Sequence, residues 1–125
     1  MKTILFVDDE AEILQNYKDY FESVPGFTVV VVNSPSAALL RAENQIFDVV
    51  CTDFRMPRLT GADFINSLRT MRGYKDRPIL VITAHNEEAQ KACDKLDNVF
   101  ILAKPVKLAS VCEMAKKLAQ MMHRK

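Results

Sequence analysis

Five short apolar runs punctuate the chain, and each ends on a polar residue or a lysine. They are Ile4–Val7 before Asp8, Thr28–Val32 before Asn33, Val49–Thr52 before Asp53, Ile79–Ile82 before Thr83, and Val99–Ala103 before Lys104. The runs are continuous rather than alternating, which is the pattern of strands buried on both faces of a parallel sheet. The segments between them change period. Ile13, Leu14, Tyr17, Phe21 and Val24 repeat at three- and four-residue steps. Ser34-Pro35 is an N-cap followed by proline at the first helical position, and predicts a helix to about Asn44. Phe64, Ile65 and Leu68 mark a third helix after Gly61. A more polar fourth runs from about Asn86 to Leu96, and Leu108, Val111, Ala115, Leu118 and Met122 stripe a fifth.

A strand followed by a helix, five times over, implies right-handed crossovers with helices on both sheet faces. The predicted fold is a doubly wound α/β domain. Its 125 residues suit a single domain, with no repeat, low-complexity tract or linker to divide them. Lys plus Arg number 17 against 16 for Asp plus Glu, so no general electrostatic pull toward nucleic acid or an anionic membrane exists. No run approaches the ~20 apolar residues of a membrane span. Cys51, Cys93 and Cys112 are odd in number and widely spaced, and read as reduced thiols of a cytoplasmic protein.

In an open α/β sheet the ligand site lies beyond the carboxyl ends of the strands. Those ends carry Asp8, Asp9, Asp53, Thr83 and Lys104. Taken singly, each has an ordinary explanation. Acids after a strand often complement the dipole of the following helix, and Asp favours turns. Thr83 alone suits an N-cap, and Lys104 a solvated charge. Their joint placement on one edge is what points to chemistry. Three carboxylates in one crevice repel one another unless a cation joins them, and all-oxygen donors with room for water and phosphate suit Mg²⁺. Lys104 and Thr83 would then meet a phosphoryl group, and a carboxylate can be the nucleophile that receives it.

Together, Val7-Asp8-Asp9-Glu10, Asp53-Phe54-Arg55-Met56-Pro57 with Gly61, Thr83-Ala84 and Lys104-Pro105, in order and each at a strand end, resemble the receiver domain of two-component response regulators. The resemblance covers essentially residues 1–125. It implies a flavodoxin-like five-stranded sheet of order 2-1-3-4-5 with five helices, and a phosphoacceptor at Asp53. Asp9, Asp53 and the backbone carbonyl of Arg55 would ligate Mg²⁺, with Asp8 acting mostly through metal-bound water. Thr83 would follow the phosphoryl group and Lys104 would pair with it. The Lys104–Pro105 peptide would be cis. The positions of Arg55 and His85 are variable in the family and tune phosphoryl lifetime. The phosphoryl group would come from a phosphohistidine on a sensor histidine kinase or histidine phosphotransfer protein. The domain catalyses only its own phosphorylation and dephosphorylation, and is not a turnover enzyme.

One position departs from the family pattern. The switch residue, usually Tyr or Phe three residues before the lysine, is Ile101 here. Phe100 is adjacent but points to the other face of its strand. Coupling is therefore expected through Thr83 and residues 84–88. Output, as a homodimer or toward a downstream protein, is expected through the fourth helix, fifth strand and fifth helix, where Met114 and Met121 flank the apolar stripe. His123, in the basic tail, carries no reading. Two rivals fare worse. An aspartate-nucleophile Mg²⁺-dependent phosphatase usually needs an acid where Arg55 stands. A flavin carrier needs a phosphate-cradling loop where Asp8-Asp9-Glu10 would repel phosphate.

Overall fold

The computed structural model describes residues 1–121. The five apolar runs form strands β1 (Lys2–Val7), β2 (Phe27–Val32), β3 (Val49–Asp53), β6 (Ile79–Thr83) and β7 (Val99–Ala103) of one parallel sheet. Its order is β2-β1-β3-β6-β7, the 2-1-3-4-5 arrangement counted over sheet strands alone. The short strands β4 (Arg55–Met56) and β5 (Leu59–Thr60) pair antiparallel in a separate hairpin. Helices are α1 (Ala11–Glu22), α2 (Pro35–Asn44), α3 (Gly61–Arg69), α4 (Asn86–Cys93) and α5 (Leu108–Met121). Met122 and His123 lie outside the described residues.

Local chemistry explains several boundaries. Ser34 Oγ accepts the Ala37 N–H at 3.1 Å with Pro35 in the first turn, and Thr60 Oγ1 accepts the Asp63 N–H at 3.1 Å. Helix α4 stops at Cys93, three residues short of the periodic reading.

The sheet divides the core. On one face Leu5, Val50, Ile79 and Val81 pack with Phe47, Phe64, Leu68 and Tyr74. On the other Ile4, Phe6, Cys51 and Leu80 pack with Tyr17, Phe21, Val111 and Leu118 of α1 and α5. The three central strands are buried, as continuous runs require, but β2 and β7 lie at the sheet edges and most of their residues are only half-buried. Leu108 also departs from the expected stripe: it is 39% exposed at the start of α5. Cys51, Cys93 and Cys112 are buried free thiols, and burial pushes the Cys51 thiol well up.

Candidate phosphoacceptor site

Parallel register brings the carboxyl ends of β1, β3, β6 and β7 to one edge. Val7 pairs with Thr52, Asp53 with Ile82, and Thr83 with Ala103. The residues that follow or end these strands are the ones picked out in the sequence. Asp53 Oδ2 accepts from Lys104 Nζ at 3.2 Å, with both side chains partly shielded from solvent. Asp53 Oδ1 accepts the Phe54 N–H at 2.7 Å and a longer one from Arg55 at 3.4 Å. One carboxylate oxygen is thus fixed by the turn after β3 and the other faces an ammonium. The turn is held by a close approach: Gly61 N–H donates to the Phe54 carbonyl, and a Cβ on Gly61 would lie 2.8 Å from Phe54 Cα. Only glycine allows the start of α3 to pass so near the loop that follows Asp53.

Asp8 is 5% exposed and its Oδ1 accepts the Glu10 N–H at 2.9 Å. Its proton affinity is raised from 3.8 to about 6, first by burial, then by the charges of Asp53 and Asp9, against the lowering effects of the Glu10 amide and Lys104. Asp9 and Glu10 are exposed. Carboxylate oxygens of Asp8, Asp9 and Glu10 lie within 4.8 Å of one another. Among the described residues no such group includes Asp53, whose carboxylate is engaged by Lys104 instead. This hard, all-oxygen, electron-rich set matches the donor preference of Mg²⁺.

Thr83 is completely buried, and its Oγ1 accepts the His85 N–H at 2.9 Å. It therefore sets the entry to α4 from two residues upstream of the N-cap, which is His85. His85 is exposed at the mouth. The Thr83 carbonyl accepts the Lys104 N–H at 2.8 Å, and the Lys104–Pro105 peptide is cis, as the resemblance implies.

Ile101 is half-buried against the α2–α3–α4 side of the core and Phe100 against the α1–α5 side, so the alternation along the strand holds. Met114 is half-buried beside Phe100 and Ile101 in a groove between α4 and α5, while Met121 is 49% exposed. The main surprise is Glu88. Its Oε1 accepts from both Nε (3.2 Å) and Nη2 of Arg55, joining the hairpin after β3 to the first turn of α4. Nothing in the sequence links positions 55 and 88, since an acid in a first helical turn is commonplace.

The profile of the response regulator receiver domain matches residues 4–116, and the chain belongs to that family. It is 29% identical over 115 residues to a response regulator receiver protein of Anaeromyxobacter, covering 91% of this chain and 47% of that protein. This chain thus spans about half the length of that relative. Among solved structures, a chemotaxis response regulator of Vibrio cholerae aligns with TM-score 0.83 and 27% identity over 94% of this chain and 98% of that one. The receiver domain of a sensor histidine kinase of Pseudomonas aeruginosa, solved with magnesium in its active-site cleft, aligns with TM-score 0.79 and 25% identity over 95% and 98%. The resemblance read from the strand ends is therefore correct at the level of family and fold.

Proposed function

We propose that Asp53 accepts a phosphoryl group from a partner's phosphohistidine. The observation that carries this reading is the Asp53 Oδ2–Lys104 Nζ contact of 3.2 Å at the carboxyl edge of the sheet. In the transfer, an Asp53 carboxylate oxygen bonds to phosphorus as the P–N bond breaks, and the electron pair leaves with the imidazole. Lys104 neutralises the charge that gathers on the phosphoryl oxygens. Thr83, already accepting from His85, has its hydroxyl proton to give to one of them. Asp8, Asp9, Asp53 and the Arg55 carbonyl would hold Mg²⁺, which supplies charge neutralisation between the acids and the incoming phosphate.

The partners that suit this chemistry are a sensor histidine kinase or a histidine phosphotransfer protein in the cytoplasm. The phosphorylated state would be read through α4, β7 and α5, by a second copy or a downstream protein. The domain acts on itself alone. The phosphatase reading is disfavoured by Arg55, a cation bound to Glu88 where a proton donor would be needed.

Incubation with a small phosphodonor and Mg²⁺ should add one phosphoryl group that is labile to alkali and to hydroxylamine, as an acyl phosphate is. Asp53→Asn or a chelator should abolish labelling, and labelling that survives either overturns the assignment. Lys104→Ala should keep metal binding while losing most of the phosphorylation-dependent response.

A further inference from the structure

Arg55 and Glu88 stand on different elements, 33 positions apart. Their contact spans the cleft between the β4–β5 hairpin and α4, and both side chains are about half exposed, at 59% and 49%. A pair so exposed is weak and readily exchanged in water. Yet Arg55 is rooted beside the acceptor: its backbone N–H lies 3.4 Å from Asp53 Oδ1. A guanidinium on that residue is within reach of a group built on the same carboxylate.

A phosphoryl group is the stronger competitor. It carries a charge of roughly −1.5 to −2 and three acceptor oxygens, and guanidinium binds such oxygens in bidentate pairs. Glu88 presents one charge and engages the guanidinium through one oxygen. Glu88 also loses little when abandoned, because it sits in the first turn of α4, where the helix dipole favours a free carboxylate. We propose that Arg55 exchanges partners. Glu88 holds it while Asp53 is unmodified; the phosphoryl group takes it once Asp53 is modified, and the hairpin is uncoupled from α4. Glu88 is then a positioning residue that restrains Arg55. The signal reaches α4 by a path independent of Ile101. This inference rests on Asp53 being the phosphoacceptor.

The test uses beryllofluoride with Mg²⁺ as a phosphoryl mimic, read by fluorine NMR for affinity and by the amide and Arg Nε–H signals for the exchange. In the wild type, the Arg55 Nε–H and the amides of residues 86–89 should shift on saturation. Glu88→Gln removes the competitor and should raise mimic affinity about threefold. In an Arg55→Ala background the same substitution should change affinity by less than about 1.3-fold. An Arg55 Nε–H signal that stays put in saturated protein, or an equal Glu88→Gln effect in both backgrounds, overturns the exchange while leaving Asp53 as acceptor. Asp53→Asn should bind no mimic. If it does bind, or the wild type does not, the acceptor assignment falls and the exchange falls with it.

Discussion

Replacing Asp8 by Asn removes one charge from the most buried carboxylate of the site and changes almost no volume. The Glu10 N–H that Asp8 Oδ1 accepts at 2.9 Å remains satisfied by the Asn carbonyl. What the substitution removes is the cost of keeping a carboxylate ionised at 5% exposure beside Asp53 and Asp9. Raising the proton affinity from 3.8 in the unfolded chain to about 6 in the folded one makes the folded state the better proton binder. Stability contributed by this group is therefore lost as pH rises from about 4 to 6, the reverse of a salt-bridged carboxylate. The full span, at 1.36 kcal/mol per pH unit, is about 3 kcal/mol. Asp8→Asn should then stabilise the metal-free protein by up to about 3 kcal/mol at pH 7.5, falling by the same linkage to about 1 kcal/mol at pH 4.5. Urea unfolding at the two pH values, in chelator, measures both. Saturating Mg²⁺ should stabilise the wild type at pH 7.5 more than the variant. A variant that is no more stable than wild type at pH 7.5, or whose gain is the same at both pH values, would refute the burial argument.

Three further outcomes follow from the packing. Gly61→Ala forces a Cβ to 2.8 Å from the Phe54 backbone; it should cost at least about 2 kcal/mol in urea and displace the Phe54 and Arg55 amides in NMR spectra. Tyr74→Phe removes the hydroxyl that accepts from the buried Phe47 N–H at 2.9 Å and donates to the Gln45 carbonyl. The stranded amide should lower stability by about 1–3 kcal/mol, read as the shift in denaturation midpoint. With a phosphoryl mimic and Mg²⁺ present, Thr83→Ala should erase the amide shifts on α5 and Ile101→Val should leave them nearly intact; the opposite result would place the coupling at Ile101.

The fold was legible because its central strands are buried on both sides and its helices on one, so composition and period report position directly. Ser34-Pro35 marked a helix start by chemistry alone. The strand-end residues were legible for a related reason: parallel topology turns four strand ends distant in sequence into one edge. What could not be read had no period or no proximity in sequence. The β4–β5 hairpin is two residues a side, too short for any alternation. Tyr74 is completely buried in a non-repeating connection, held by a tertiary hydrogen bond. The half-buried state of β2 and β7 follows from being at the edges, which only strand order decides. Glu88 met Arg55 through side-chain geometry that a one-dimensional pattern does not carry.

The two ends of the sheet are fastened very differently. At the amino end, the Arg69 guanidinium donates to the carbonyls of Tyr74, Arg77 and Asp97 at 2.7–2.8 Å. Arg77 in turn bridges to Asp48, which accepts the Thr3 N–H at 2.8 Å. The loops before β3, β6 and β7 and the start of β1 are thereby riveted into one block. At the opposite end, the connections around Asp53 are joined across by Lys104 and by the exposed Arg55–Glu88 contact. Mechanically the domain is a clamp with a stiff heel and a loose jaw. Under the proposed exchange, a charge placed in the jaw would be expected to move the loops and the near end of α4 there, while the heel would keep the sheet from absorbing the displacement as a bend.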